Sequence, residues 1–217
     1  MIPKIIHQMN NAITDDVVAS LDSIVRTNPE WDHKFWFDDA LDVLIKEELP
    51  NHYDSWKAWG SNNIRKWDVA RYLLLYLRGG LYADIDILFY KPLRDILDLK
   101  KSLIFRGPIL KNQNKIIKIK NHFLLSEAKN PFWLYLVDAI NNEKGNPKTA
   151  HGSTGSKKLG ATLQNYIDES HINLSDIQFL DRNYVINTKL KWEPPYKDKE
   201  FDPSLVYAEH FVKNTWK

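Results

Sequence analysis

The 217-residue chain contains no cysteine, so a disulfide framework, a cysteine zinc site, an iron–sulfur cluster and a thiol nucleophile are excluded. It also has little net charge. Thirty Lys and Arg stand against 28 Asp and Glu, a formal +2, which leaves no overall field to draw the chain onto nucleic acid or an anionic membrane. Long apolar runs are missing: Leu73 to Leu77 falls far short of the ~20 residues that cross a bilayer. Neither a G-x-G-x-x-G fingerprint nor a P-loop occurs, so dinucleotide oxidoreductases and P-loop NTPases lose their main support. The opening, Met1 to Gln8, lacks a signal-peptide layout and reads directly as a strand. A soluble, cytoplasmic protein without a transmembrane segment is therefore expected. What is plentiful is aromatic: 8 Trp, 10 Tyr and 9 Phe, side chains that suit both large cores and sugar or base stacking. At this length one domain is expected.

Hydrophobic periodicity predicts strands alternating with helices, the pattern of an α/β layered domain. Lys4 to Gln8 reads as a buried strand. Asp15 or Asp16 caps a helix with Val17, Val18, Leu21, Ile24 and Val25 on one face. Trp31 to Phe37 alternates as a strand, and a helix follows from Asp38-Asp39 to the residue before Pro50. Residues 51–63 are polar and aromatic and give no clear element; Trp56 and Trp59 there, with Trp192, suit core packing better than an acceptor-sugar platform. The clearest helix runs from Ile64 to Arg78 and stops at Gly79-Gly80. Leu81 to Tyr90 reads as one buried strand interrupted by Asp84 and Asp86. Beyond it, strands are expected at 102–105, 115–120, 121–126 and 181–188. Helices are expected at 132–140 and 159–167, with a loop at 151–156.

Asp84-Ile85-Asp86 carries the most chemistry. On an extended chain residues two apart share a face, and two carboxylates in an apolar strand need a cation, an arginine or a raised pKa. Oxygen ligands favour magnesium, manganese or calcium. A solvated strand end is the simpler reading of such a tripeptide alone. Context adds to it: the preceding helix carries Asp68 and Arg71 three apart on one face, and a guanidinium beside a metal suits a phosphorylated, anionic substrate.

The string from Asp68 to Asp86, DVARYLLLYLRGGLYADID, resembles the donor-sugar-binding DXD segment of glycosyltransferase family 32, which includes yeast-type initiating mannosyltransferases and bacterial capsule enzymes. Ile2 to Gln8 resembles the family's opening strand, Asn28 to Trp31 with Trp36 and Asp38 its next unit, and Glu209 to Trp216 its closing segment. Trp67 stands where the family usually places a small residue, and Thr154-Gly155-Ser156 replaces a common Thr-Gly-Pro.

The resemblance implies a GT-A fold: a Rossmann-like α/β sandwich with a central mixed, mostly parallel sheet in a single domain over 1–217. Residues 1–95 would bind the nucleotide sugar, and 96–217 would supply the acceptor side and the closing segment. It implies Mn²⁺ or Mg²⁺, a UDP- or GDP-sugar donor and a glycan or other hydroxyl acceptor, with retention of configuration. Asp86 would ligate the metal, and Asp84 would touch the metal or the ribose. Asp68 and Arg71 would hold the donor sugar, His7 and Gln8 would flank base and ribose, His210 or Asn214 would complete the metal shell, and Trp216 would reach the diphosphate. A polysaccharide enzyme of a bacterial cell or a virus-infected host cell fits such a chain. Two rivals are a magnesium-dependent phosphohydrolase using the same Asp pair and a non-catalytic carbohydrate-binding protein.

Overall fold

The computed structural model describes residues 1–60, 63–107, 110–111, 115–116, 119–143, 150–181, 183–187 and 203–211. A six-stranded sheet forms its centre: β1 (Ile5–Met9), β2 (Asp32–Trp36), β3 (Gly80–Ala83), β5 (Leu103–Arg106), β8 (Phe123–Ser126) and β9 (Ile177–Leu180), in spatial order β2-β1-β3-β8-β5-β9. The β2–β1, β1–β3 and β5–β9 pairs are parallel, and β8 runs antiparallel to both its neighbours. A second sheet joins β4 (Ile87–Phe89), β10 (Val185–Asn187) and β11 (Ala208–His210) in the order β10-β11-β4, and a short hairpin pairs β6 (Leu110–Lys111) with β7 (Lys115–Ile116). The mixed, mostly parallel α/β sandwich expected from the sequence is what forms.

Strand alternation sorts apolar side chains onto two faces. Tyr82, Leu103, Phe105 and Leu124 enter one core, with α2 (Asp38–Glu48), α3 (Pro50–Ala58), α4 (Ile64–Arg78), α5 (Phe132–Asn141) and α7 (Ser156–Asp168). Leu81, Ala83, Ile104, Phe123 and Leu125 enter the other, with α1 (Asp15–Thr27) and the second sheet. α4 is buried nearly all round: Trp67 to Leu75 are all inside, beyond the single stripe its periodicity predicts. Its N-terminus is capped by Asn63, which accepts from the Arg65 amide at 3.0 Å.

At the α4–β3 junction Gly79 and Gly80 have φ of +64° and +87°; a Cβ on Gly80 would lie 2.4 Å from the Ile5 carbonyl oxygen. Only glycine allows this positive φ together with such close backbone approach, and the sharp turn lays β3 beside β1.

Several expectations need correction. Thr14, not Asp15 or Asp16, caps α1, accepting from the Val17 amide; the aspartates sit in the first turn, where they complement the helix dipole. Val18 and Val25 are exposed while Ser20 and Ser23 are buried, because the α1 face that meets β4 is held by hydroxyl hydrogen bonds. Residues 50–58 form α3, with Pro50 in its first turn where a missing N–H costs nothing. Trp56 is core and Trp59 packs against it; Trp192 lies outside the described residues. β9 was not anticipated, and 150–153 forms a short helix, α6 (Ala150–Ser153), within the expected loop. The expected strand at 115–120 is described only as β7 and residues 119–120.

The run 81–90 is not one strand. β3 ends at Ala83, Asp84 to Asp86 turn, and β4 begins at Ile87 in the other sheet. The apolar signal is the same for one strand or two, and the split comes from partners distant in sequence, β8 for β3 and β11 for β4.

Candidate active site

Asp84 and Asp86 converge through this turn rather than through extended-chain alternation. Three backbone bonds pin it: Asp84 N–H to the His122 carbonyl at 3.0 Å, Ile87 N–H to the Asp84 carbonyl at 3.2 Å, and Phe211 N–H to the Asp86 carbonyl at 2.9 Å. Register pairs His210 with Ile87, which brings its ring over the turn. His210 Nε2 lies 3.0 Å from Asp86 Oδ1 and 3.8 Å from Asp84 Oδ2. One ligand atom from each of Asp84, Asp86 and His210 falls within a 4.8 Å span. Two hard oxygens and one imidazole nitrogen make a donor set suited to a divalent cation. Beside it, a cleft of about 170 Å³ is lined by Asp16, Ala19, Ile85, Asp86, Leu88 and Phe211.

Arg71 stands behind this acidic turn. Its guanidinium lies 3.1 Å from Asp68 Oδ1 and 3.0 Å from Asp84 Oδ1, donates to the Asn121 carbonyl at 2.8 Å, and covers the Tyr82 ring at 4.7 Å. The Tyr82 hydroxyl donates to the same Asp84 Oδ1 at 2.8 Å; burial holds this phenol protonated, well above its ordinary range. One oxygen of Asp84 is thus fixed by two donors while the other faces His210.

Asp68 is 5% exposed. Asn121 Nδ2 and Thr154 Oγ1 each donate to it at 2.8 Å, and Ser156 Oγ donates to the Asn121 amide oxygen at 2.8 Å. Burial pushes the Asp68 carboxyl up while Arg71 and its hydrogen-bond donors pull it back. Both carboxylate oxygens are held by protein groups, so as placed the Asp68–Arg71 pair reaches the turn through Asp84.

His7 and Gln8 are also committed inward. Trp36 Nε1–H donates to His7 Nδ1 at 3.1 Å, which leaves the proton on Nε2, 2.9 Å from the Gly79 carbonyl. Burial lowers the His7 pKa to about 4, so the ring is neutral. Gln8 donates to Ser20 Oγ at 2.8 Å and to the Asp84 carbonyl at 3.3 Å, and its oxygen meets His33 Nε2 at 3.0 Å. Ser20 hands the link on to the Ile87 carbonyl at 2.6 Å. Gln8 therefore braces the turn from beneath. Asn214 and Trp216 lie outside the described residues.

The family described as "Glycosyltransferase sugar-binding region containing DXD motif" matches residues 14–103, the segment that builds this turn and its Arg71 backing. This match and the relatives below support a glycosyltransferase family 32-like assignment. It is 26% identical over 172 residues to the mannosyl phosphorylinositol ceramide synthase CSH1 of Saccharomyces cerevisiae, covering 76% of this chain and 43% of that protein. Over 226 residues it is 25% identical to the uncharacterized glycosyltransferase L373 of Acanthamoeba polyphaga mimivirus, covering 100% of this chain and 84% of that protein. Among solved structures, the galactosyltransferase LgtC in complex with donor and acceptor sugar analogs superposes with a TM-score of 0.57 at 12% identity, over 97% of this chain and 87% of that one. The fold is that of the GT-A glycosyltransferases. Among the described residues no helix is long and apolar enough to cross a membrane.

Asn121, His122, Tyr82, Thr154 and Ser156 escaped the reading of the sequence as site residues. Thr154 and Ser156 carried a partial signal, standing where the family commonly has Thr-Gly-Pro. Asn121 and His122 carried none, since their partners lie far away along the chain.

Proposed function

We propose that the chain transfers a hexosyl group from a nucleoside diphosphate sugar to a hydroxyl of a glycan or similar acceptor, with a divalent cation held by Asp84, Asp86 and His210. The observation that carries this reading is the convergence of those three side chains on one point beside an open cleft, in a chain of this family. The residues fit a cation: the donor atoms span 4.8 Å, and two carboxylates beside one imidazole make an oxygen-rich donor set that favours a positive guest. Such an ion supplies electrostatic stabilisation of the departing diphosphate.

The protein's own part is preorganisation. Tyr82 and Arg71 hold one oxygen of Asp84, which leaves the other for the ion. Asp68, Asn121 and Thr154 hold Arg71, so these residues act by positioning. Asp86 also lines the cleft. In the reaction the bond from the anomeric carbon to the β-phosphate oxygen breaks, a bond to the acceptor oxygen forms, and the acceptor proton leaves to the diphosphate or solvent. No described side chain stands out as a covalent nucleophile, in keeping with same-face displacement and retention. Residues 1–95 would serve the donor and 96–217 the acceptor and the closing segment, in which Asn214 is the rival to His210 as metal ligand and Trp216 would reach the diphosphate.

Manganese is the first ion to test and a mannosyl donor the first sugar, the latter because the fungal relatives are named as mannosyl enzymes. The rivals fare less well. Asp84 already accepts from Arg71 and Tyr82, an arrangement that blunts the free carboxylate a phosphoryl nucleophile needs, and an α/β sandwich is not the mostly β architecture of a binding module. The test is a thermal-shift and hydrolysis panel of UDP- and GDP-sugars with Mn²⁺. A rise in Tm with one donor class, lost in Asp86→Ala, is expected; phosphatase activity indifferent to nucleotide sugars would overturn the reading.

A further inference from the structure

His122 is the buried titratable group that this mechanism leaves unused. It is 4% exposed, yet neither ring nitrogen has a hydrogen-bond partner among the described residues. Each buried polar atom left unmade costs roughly 1–3 kcal/mol, and phenylalanine would fill similar space without that cost. His7, at 1% exposed, is treated differently: both of its ring nitrogens are engaged. An orphaned ring of this kind points to a partner that is not part of the polypeptide.

The place of the ring says which partner. The His122 carbonyl accepts from the Asp84 amide at 3.0 Å, so residue 122 is tied to the first residue of the acidic turn. Its ring lies against that of His210, centroid to centroid 4.1 Å with the planes 53° apart. It therefore neighbours His210, one of the three groups that meet there, while its own nitrogens lie outside the 4.8 Å span that joins Asp84, Asp86 and His210.

We infer that His122 is a second imidazole of the cation site, joining Asp84, Asp86 and His210 as a nitrogen donor when the ion is bound. This rests on the cation reading above and adds to it a preference. Two carboxylates alone suit Mg²⁺ and Ca²⁺, whereas two imidazoles shift the set toward Mn²⁺, Co²⁺ and Zn²⁺. The chain would then discriminate against magnesium through a residue outside the DXD turn and outside the closing segment.

The decisive measurement is pulsed EPR on the full chain, labelled with ¹⁵N-histidine, freed of any tag and loaded with Mn²⁺. Two inequivalent imidazole couplings are expected in the wild type, and one in His122→Phe. Mn²⁺ affinity in that variant should fall about tenfold or more while Mg²⁺ affinity stays within about twofold, as loss of one nitrogen donor requires. A single imidazole coupling in the wild type, or identical spectra and affinities in His122→Phe, would overturn the inference and leave the cation reading standing. If His122→Phe does not fold by circular dichroism, the wild-type nitrogen count decides, with His122→Asn as the second variant. A wild type that takes up no Mn²⁺ by EPR or calorimetry would instead defeat the cation reading, and this inference with it.

Discussion

Two polar clusters touch at Asp84 and are built in opposite ways. Around Asp68 and Arg71 every charge is answered: the pair is 5% and 3% exposed, and Asn121, Thr154 and the Asn121 carbonyl complete its hydrogen bonds. Around Asp84, Asp86 and His210 two carboxylates lean on one imidazole at the edge of a cleft, and the ring of His122 packs on that imidazole with no hydrogen bond among the described residues. A closed cluster holds shape, and an open one with surplus negative charge holds a guest. The first should answer mutation in stability, the second in ligand response.

The sharpest way to break that comparison is Arg71→Met. Removing the cation leaves the Asp68 carboxylate buried and uncompensated, so unfolding free energy should fall by about 3–5 kcal/mol in a denaturant titration; a loss under ~1 kcal/mol would mean that the cluster is not closed. His7 comes next, as another inward-committed group. Its folded pKa is about 4 against an ordinary 6.5, so the unfolded state binds the proton more readily. Stability is then full above pH 6.5 and lost as pH falls toward 4, by at most about 3 kcal/mol. His7→Gln should flatten that limb of the stability profile, and an unchanged slope would refute the assignment.

Thr154→Val removes one donor from Asp68 while keeping the shape. A loss of about 1–3 kcal/mol is expected, with Mn²⁺ affinity unaltered by calorimetry; a large change in affinity would merge the two clusters into one. The smallest stability effect belongs to Asp86→Asn, within about 1 kcal/mol, because a repulsive carboxylate at the cleft rim is being neutralised. The same variant should lose the whole Mn²⁺-dependent rise in Tm. A retained rise would place the ion elsewhere.

How legible each cluster was in the sequence follows the reach of its contacts. Asp68 and Arg71 are three apart on α4, a spacing that local periodicity exposes, and they do pair at 3.1 Å. Asp84 and Asp86 stood out as charges in an apolar run. The groups that make these motifs work do not stand out: Asn121 is 53 positions from Asp68 and Thr154 is 86. Nothing near His122 in the chain marks it, since its meaning lies in the ring of His210. α3 was missed because its burial comes from a single residue, Trp56, set in a polar stretch, and because Pro50 reads equally as the end of one helix and the start of the next.

Local pattern alone determined the alternation of strands and helices, the long helix ending at a double glycine, and the acid-x-acid step after it. These rest on side-chain spacing and backbone freedom over a few residues. Tertiary structure decided that the step is a turn joining two sheets, that His210 closes over it and that His122 lies beside it. Those outcomes depend on which distant strands pair, and strand pairing is settled by mutual burial across the whole fold rather than by any one segment.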